Sequence, residues 1–410
     1  MKRLQAYKFE LMPNGAQVRA MRQYAGACRF EYNKALAWQN AQYQADNTFK
    51  FSYTKIANLL PQWKEELDWL KDAPSQPLQQ SLKNLEASFR HFFAKRTDFP
   101  RFKKKGQLDS FRFPQGFKLE QHNNRVFLPK LGWIRYRNSR EVLGALKNIT
   151  VSQKCGKWYA SIQTEREVDQ PEHNATSIIG VDMGIAKFAI LSDGQVLDAV
   201  NSFKQKKSKL VRYQRALSRK AKFSNNWRKQ KARINKLHST IANIRKDYLH
   251  KTTITISQNH AMIVIEDLQI SNMSKSAKGT ATEKGLNVRQ KSGLNRCILD
   301  QGWFEFRRQL EYKQQWLGGE VLAVPAHYTS QRCSCCGTVS KDNRQSQAKF
   351  TCVSCGYETN ADLNAAKNIL AAGHAVLACG VTVQQDRTVK HEPAEGIRKS
   401  TREPVGIPFL

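Results

Sequence analysis

The chain has 410 residues, of which 67 are Lys or Arg and 34 are Asp or Glu, so its formal net charge is +33 at pH 7. A hydrophobic share of 40% and an aromatic share of 10% suffice for a packed core, which excludes global disorder. A charge excess of this size strains a compact fold unless a polyanion neutralises it, so nucleic acid is the predicted partner.

The basic residues are concentrated in two segments. Residues 201–250 contain sixteen Lys or Arg and one acid, and residues 101–170 contain fifteen against six acids. The first ratio is too uneven for an ordinary solvated helix face. Residues 171–200 carry one Lys and four acids, and a bound cation is expected there.

Neither a membrane span nor a secretory route is predicted. The sequence holds no run of 18 apolar residues, and its first ten residues lack the apolar core of a signal peptide. Five of the nine cysteines lie between Cys333 and Cys355, a pattern typical of metal binding in a reducing compartment. We therefore expect a cytoplasmic protein.

The predicted elements of the first half are a strand, a helical region and a β region. Residues 3–11 alternate like a short strand, and residues 15–96 show three- and four-residue apolar spacing. Residues 99–165 hold short apolar runs punctuated by prolines, which predicts an antiparallel β region that pairs with the first strand.

The second half is predicted as a mixture of strands and helices. A hairpin is expected over Ile178–Asp198, basic helices over about 204–257, a buried strand over Ala261–Ile265 and a helix over about 298–317. An apolar seam in the basic helices comprises Ile234, Leu237, Ile241, Ile244 and Tyr248. Residues 271–295 are rich in Ser, Lys and Gly and predict a flexible loop, and residues 381–410 predict a disordered tail.

Two Cys-x-x-Cys pairs carry the clearest chemical signal. Cys333 and Cys336 are separated by fifteen residues from Cys352 and Cys355, and a glycine follows each pair. Four thiolates at this spacing are typical of a structural zinc ribbon, in which every position around Zn²⁺ is a protein ligand. Cys335 could compete with Cys336, but the spacing favours Cys336.

Three acids occur where an unpaired charge is unexpected or where a helix begins. Asp182 interrupts an apolar strand, Glu266-Asp267 ends a second one, and Asp362 starts a helix. Each acid also has an ordinary explanation. Local hydrogen bonds could satisfy Asp182, Glu266-Asp267 could end a strand in water, and Asp362 could be the N-cap of its helix. Alternation places Glu266 and Asp267 on opposite faces, and spacing alone does not decide which of them shares a face with Asp182. The order strand–Asp, strand–Glu, helix–Asp is similar to that of RNase H/RuvC-like nucleases, which hold two Mg²⁺ ions against a scissile phosphate.

The sequence resembles the TnpB family, the RNA-guided nucleases of bacterial insertion sequences, which are similar to type V CRISPR effectors. The resemblance runs over about residues 1–375 and includes the two cysteine pairs. Its other motifs are Gln80–Glu86, Phe99–Lys105, Leu128–Trp133, Gly180–Gly184, Val264–Leu268, Gln309–Lys313 and Asp362–Ala366.

The resemblance implies a catalytic triad of Asp182, Glu266 and Asp362 and selects Glu266 over Asp267. It implies an α/β multidomain fold that combines a RuvC-like nuclease domain (171–325 and 357–380) with a zinc ribbon (326–356). A β-barrel-like wedge domain (1–11 and 98–170) and a helical recognition lobe (12–97) complete it. The implied partners are a transposon-encoded guide RNA and double-stranded target DNA beside a short DNA motif read by the protein. The implied location is the bacterial cytoplasm, with nucleoid association when the protein is bound to DNA.

The same resemblance suggests the residues that face nucleic acid. Phosphate clamps are expected in the basic run that follows Pro100, and duplex-facing side chains are expected on the helical region and the first β turn. The full set is Tyr53, Gln79, Lys83, Asn84, Arg101, Lys103, Lys104, Lys105 and Gln115.

Two alternative functions remain open from the sequence. A guided repressor would bind DNA without cutting it, although all three acids of the triad are present here. A strand-joining transposase usually carries its acids in the order Asp, Asp, Glu, whereas the order here is Asp, Glu, Asp.

Overall fold

The structure of the protein is a computed structural model that describes residues 1–280 and 282–378. The tail predicted over 381–410 lies outside these residues. In the described ranges, none of the helices combines the length and the apolar character needed to cross a bilayer.

The described chain contains strands and helices in comparable numbers, numbered here in chain order. The strands are β1 (Lys2–Met12), β2 (Ser110–Phe113), β3 (Lys118–Glu120), β4 (Arg125–Leu128), β5 (Gly132–Tyr136), β6 (Ala145–Lys154), β7 (Lys157–Glu167), β8 (Ile178–Met183), β9 (Lys187–Leu191), β10 (Val196–Asp198), β11 (Met262–Glu266), β12 (Glu320–Val324), β13 (Lys349–Thr351) and β14 (Glu358–Asn360). The helices are α1 (Gly15–Ala45), α2 (Tyr53–Asn58), α3 (Leu60–Glu66), α4 (Asp68–Lys71), α5 (Ser75–Phe93), α6 (Ser202–Ser218), α7 (Asn225–Asn259), α8 (Ile270–Met273), α9 (Val288–Gln301), α10 (Trp303–Leu317) and α11 (Ala361–Ala378).

Contacts divide the chain into two compact units. Unit 1 comprises residues 1–174, 200–258 and 299–319, and unit 2 comprises 175–199, 259–298 and the chain from residue 320. The predicted nuclease domain, 171–325 with 357–380, therefore has residues in both units. The boundaries of the functional domains stay a prediction.

Unit 1 contains a seven-stranded antiparallel sheet in the order β2-β6-β7-β1-β5-β4-β3. The predicted pairing of the first strand with the β region is confirmed, because β1 pairs with both β7 and β5. Tyr7, Phe9 and Leu11 point alternately into the core, which the sheet shares with α1–α5. The closure of this sheet into a barrel stays a prediction.

The basic helices α6 and α7 pack through the predicted apolar seam. Leu210 joins Ile234, Leu237 and Ile241 in one buried cluster, while Ile244 and Tyr248 are half-buried. The cations stand on the outer faces, so these two helices pack on one side and offer positive charge on the other.

The motif Gln309–Lys313 attaches α10 to α7. The buried Lys313 donates to the His250 carbonyl over 2.8 Å and to Thr253 Oγ1 over 2.7 Å, and Thr253 in turn donates to Gln309 Oε1 over 3.0 Å. A buried ammonium is costly unless it is hydrogen-bonded, and these contacts satisfy it. The motif thus has a structural use in unit 1.

Two predictions about residues 271–317 are wrong in detail. The segment predicted as a loop contains α8 and most of α9, because Lys291 donates to the Met273 carbonyl over 2.8 Å and Asn295 donates to the Ser274 carbonyl over 2.9 Å. These bonds organise a polar surface segment that has little apolar periodicity. The single helix predicted from about 298 is divided at Gly302, whose φ of 77° lies in the left-handed region.

A buried carboxyl group in α1 predicts a pH-dependent stability. Glu31 is 0% exposed, and within the described chain neither of its oxygens has a hydrogen-bond partner. Burial raises the pKa of Glu31 to about 7 from its ordinary 4.5, against the opposing effect of Lys34 and Lys64. The unfolded chain releases this proton at lower pH than the folded chain, so stability falls as pH rises from 4.5 to about 7 and is level above it.

Glu31→Gln should therefore be more stable than the wild type by roughly 3 kcal/mol at pH 8 and nearly equal to it at pH 4. The measurement is the free energy of unfolding in urea across this pH range. Glu65→Gln, at an exposed position of α3, serves as the control and should show no such divergence. Parallel curves for the wild type and Glu31→Gln would contradict the assignment.

Unit 2 is built on a five-stranded sheet in the order β10-β9-β8-β11-β12. The strands β8, β11 and β12 are parallel, and β9 and β10 return antiparallel, as predicted for the hairpin. Helix α11 covers one face through a cluster of Val264, Leu322, Val324 and Ile369.

Two glycines allow α11 to approach the sheet closely. A Cβ on Gly180 of β8 would lie 2.3 Å from the Ala366 carbonyl oxygen, and one on Gly373 would lie 2.5 Å from Val264 Cγ2. No larger residue fits at either position without moving backbone or a packed side chain. The two glycines therefore set how closely α11 approaches β8 and β11.

Candidate active site and metal centre

The register of β8 and β11 brings Asp182 beside Glu266. The parallel pairing runs from Met262 opposite Ile178 to Ile265 opposite Val181, so the two acids are the next neighbours along it. Gly180 and Val264 face α11, and side chains two residues further along a strand share that face. Asp267, one residue beyond Glu266, follows the end of β11 and is exposed. Register thus distinguishes two acids that spacing left equivalent.

Helix α11 brings the third acid to the same place. Asp362 lies in the first turn of α11, one turn before Ala366, whose carbonyl contacts Gly180. Asn360 Oδ1 accepts from the amides of Asp362 and Leu363 over 3.0 and 3.2 Å, which caps the helix. The cap is therefore Asn360, and the Asp362 carboxylate stays available for other contacts.

The electrostatics of the cluster show that Asp182 is affected by the other two acids. Burial, together with the negative charges of Glu266 and Asp362, raises the pKa of Asp182 to about 7 against the opposing effect of Arg344. Burial also raises the pKa of Glu266, although a hydrogen bond from Thr329 lowers it. Ionising all three groups without a cation is unfavourable, so this donor set fits a hard divalent cation.

Two side chains near the acids were not singled out by sequence. Thr329 Oγ1 donates to Glu266 Oε1 over 2.6 Å, and Arg344 Nη2 pairs with Asp362 Oδ1 over 3.0 Å. Both come from the segment between β12 and α11, far along the chain from two of the three acids. No spacing rule could have identified them, because only the folded chain brings them to the cluster.

The four predicted cysteine ligands form the tightest donor cluster. Across residues 1–280 and 282–378 they are the one group of three or more His, Cys, Asp or Glu whose ligand atoms all lie within 4.8 Å of one another. The Sγ atoms of Cys333 and Cys355 are 3.8 Å apart, and those of Cys336 and Cys352 are 3.6 Å apart. A tetrahedron of sulfurs about 2.3 Å from zinc has edges of about 3.8 Å, so this cluster could bind zinc.

The two Cys-x-x-Cys turns, called knuckles below, share one local geometry. In each, the glycine after the second cysteine donates to the carbonyl of the first, from Gly337 to Cys333 over 2.9 Å and from Gly356 to Cys352 over 3.0 Å. Both glycines have positive φ, 80° and 69°, as the tight turn requires. Cys335 is exposed and does not belong to the cluster.

The first knuckle is attached directly to α11. Asn364 Oδ1 accepts from the Ser334 amide over 2.9 Å, while Asn364 and Asn368 donate to the Arg332 carbonyl over 2.7 and 2.6 Å. Asn364 is fully buried, so these bonds are not replaced by water. The cysteine centre and the start of α11, which carries Asp362, are therefore parts of one hydrogen-bonded structure.

In the described residues, the three acids are not a donor group of the kind that the four cysteines form, and in this arrangement the Asp362 carboxylate is paired with Arg344.

The predicted nucleic-acid residues lie in unit 1, on two neighbouring surfaces. Gln79, Lys83 and Asn84 are exposed along α5, and the Lys83 ammonium lies 5.5 Å from the centre of the Tyr53 ring. Asn84 also lines a cavity of about 200 Å³ together with Gln80, which was not in the predicted set. The other lining residues include Arg29, Arg112 and Lys103.

The predicted phosphate clamps differ from one another. Lys103 exchanges two hydrogen bonds with Asn33 of α1 through its backbone, and its ammonium lies 3.8 Å from the centre of the Tyr32 ring. Arg101 pairs with Asp98 over 2.8 Å. Lys104, Lys105 and Gln115 are exposed. Lys104 and Lys105 are therefore accessible to solvent, whereas Lys103 is held against α1.

Three family descriptions match parts of the chain. A family described as probable transposase matches residues 161–277, a Cas12f1-like TNB domain matches 303–369, and a helix-turn-helix domain matches 1–48. The last segment folds here mainly as β1 followed by the single helix α1.

Similar proteins cover nearly the whole chain. The proposed RNA-guided DNA endonuclease InsQ of Escherichia coli (strain K12) is 64% identical over 400 residues, which are 97% of this chain and 99% of InsQ. A proposed RNA-guided DNA endonuclease of Streptomyces pristinaespiralis is 31% identical over 99% of this chain and 98% of that protein. A cryo-EM structure of a Cas12f1–sgRNA–target DNA complex contains a chain with TM-score 0.57 and 11% identity, covering 90% of this chain and 98% of its own; this likeness shows the fold. The identity to InsQ over almost the full length of both sequences shows that the chain belongs to the TnpB family, as its motifs predict.

Proposed function

We propose that the protein is an RNA-guided DNA endonuclease encoded by a transposable element. The observation that carries this proposal is the convergence of Asp182, Glu266 and Asp362, from two adjacent parallel strands and one helix, on a single site. The 64% identity to InsQ supports the same activity. Polyanion binding is supported by the acid-poor helices α6 and α7.

The three acids are the proposed catalytic residues of a RuvC-like nuclease site. Two Mg²⁺ ions held by their oxygens would activate a water for attack on the scissile phosphate and stabilise the leaving oxygen. The protein contributes geometry: the strand register aligns Asp182 with Glu266, the hydrogen bond from Thr329 orients Glu266, and the packing of α11 on Gly180 positions Asp362. Phosphodiester hydrolysis is the reaction that this arrangement favours.

We propose supporting roles for the remaining regions of the chain. The cysteine cluster is proposed as a structural zinc ribbon over 326–356, which holds the start of α11 through Asn364 and Asn368. The antiparallel sheet, 1–11 with 98–170, is proposed as the wedge domain and residues 12–97 as the recognition lobe. The exposed side chains along α5 and the open lysines after Pro100 would contact the target duplex beside the guide RNA.

The test is to purify the protein with its RNA, replace the RNA by one with a chosen guide segment, and incubate the complex with Mg²⁺ and a plasmid library of flanking motifs. We expect cleavage of plasmids that match the guide and carry one motif, and Asp182→Asn should bind the same plasmids without cutting them. Binding without cleavage by the wild type would indicate a guided repressor, and joined transposon ends would indicate a transposase. Cleavage that ignores the guide would contradict RNA guidance.

A further inference from the structure

The turn between α6 and α7, residues 219–224, presents an aromatic ring to solvent. Phe223 is 62% exposed and has a φ of 68°, in the left-handed region. This backbone conformation is unfavourable for a bulky residue without glycine's freedom, and such strained residues often occur where function requires them. Folding alone gives no reason for a phenylalanine there, because its ring lies mostly outside the core.

The ring of Phe223 is nevertheless held in place. Its centre lies 5.5 Å from that of Trp227 with the planes at 60°, and Trp227 is half-buried in the first turns of α7. Ser224 caps the same helix, because its Oγ accepts from the Trp227 amide over 3.1 Å. The two rings therefore pack against each other, while Phe223 stays mostly exposed.

Cations surround this aromatic pair. The Lys222 ammonium lies 5.3 Å from the Phe223 ring centre, and the Lys231 ammonium lies 4.8 Å from that of Trp227. Residues 202–246 contain sixteen Lys or Arg and no acid. A partner that meets this surface must be strongly anionic and must also offer a flat apolar face.

An open surface hollow, called the groove below, lies over one face of α6 and reaches the turn. Its volume is about 900 Å³. Its lining consists of Lys207, Ser208, Val211, Arg212, Arg215, Ser218 and Arg219, and Arg219 is the first residue of the turn. Cations spaced along one helix face suit successive phosphates, and the aromatic pair follows where the groove ends.

We propose that Phe223 stacks on an unpaired base of the guide RNA while the groove along α6 holds the phosphates next to that base. Stacking of a base on an aromatic ring is the way in which proteins recognise unstacked RNA positions. Structured RNA offers such bases in loops and bulges at no melting cost, whereas the bases of a DNA duplex must first be unstacked. This inference rests on the proposed guide RNA and names one residue that contacts it.

The test uses the full chain purified with its RNA and irradiated at a wavelength that cross-links aromatic side chains to stacked bases. We expect a ribonucleotide adduct on Phe223, retained in Phe223→Tyr and lost in Phe223→Ala. The dissociation constant for the RNA extracted from the wild-type complex should rise about tenfold in Phe223→Ala and stay nearly unchanged in Phe223→Tyr. Phe304→Ala is the matched control, because Phe304 is 72% exposed on α10 and should bind this RNA like the wild type.

A second variant separates binding from folding. Phe223→Gly removes the ring, so it should weaken RNA binding like Phe223→Ala. Because glycine also relieves the left-handed strain, the melting temperature of the RNA-free chain should not fall. Unchanged RNA affinity in both variants, or an adduct with deoxyribonucleotides alone, would overturn the proposal. If the wild type shows the adduct but never cleaves a guided target, the nuclease assignment fails and the stacking assignment stands.

Discussion

Glu266→Gln should lower the rate of guided DNA cleavage by at least about a thousandfold, because a metal ligand contributes several kcal/mol to phosphodiester hydrolysis. The same change at the next residue, Asp267→Asn, should alter the rate by less than about threefold. The two acids differ by one position in the chain, but β11 directs Glu266 to the face of Asp182 and α11, and Asp267 is exposed. The measurement is single-turnover cleavage of a matched target at saturating complex.

The glutamine variant is a mild change to the fold. Its amide oxygen can still accept the hydrogen bond from Thr329, and the loss of a buried charge removes a desolvation cost. We therefore expect unchanged target affinity and a melting temperature at or above that of the wild type. If Asp267→Asn lost activity and Glu266→Gln kept it, the face assignment would be reversed and the proposed triad would be wrong.

Periodicity and residue chemistry predicted most of the architecture because they act locally. The alternation of Tyr7, Phe9 and Leu11 and the seam from Ile234 to Ile241 follow from the periods of strand and helix. The part of the polar helix α9 before residue 298 was missed for the same reason: its order comes from hydrogen bonds such as that of Asn295 to the Ser274 carbonyl, which leave no apolar pattern.

Part of the candidate site could likewise be predicted from the sequence, and part of it could not. The cysteine spacing was sufficient to identify a four-sulfur cluster, because four ligands in two short turns have few ways to meet. The contacts of Thr329 with Glu266 and of Arg344 with Asp362 depend on how a long connection folds over the sheet, so no local rule contains them. Spacing alone left Glu266 and Asp267 open and the family resemblance selected Glu266; the physical basis is the register between β8 and β11, which is a property of two distant segments together.

Cys352→Ser should reduce the zinc content from about one ion per chain to near zero and abolish guided cleavage, although it lies outside the acid cluster. The apolar core around the cysteines is small, with Phe350 and Ala361 packed against Cys333 and Cys352, so it cannot hold the knuckles without the metal. Ala361 is the first residue of α11 and precedes Asp362, and the first knuckle is bonded to Asn364. Unfolding of the knuckles should therefore displace Asp362.

Cys335→Ser is the matched control, since Cys335 lies in the same knuckle but is exposed and outside the sulfur cluster. It should retain zinc, melting temperature and cleavage rate. Zinc is measured by atomic spectroscopy on protein dialysed against a weak chelator, and the state of α11 by hydrogen exchange at the amides that follow Asn360. Full zinc occupancy in Cys352→Ser, or zinc loss in Cys335→Ser, would show that the proposed set of four zinc ligands is wrong. Loss of zinc with protection of α11 and cleavage intact would show instead that the four-cysteine centre does not hold Asp362 in place.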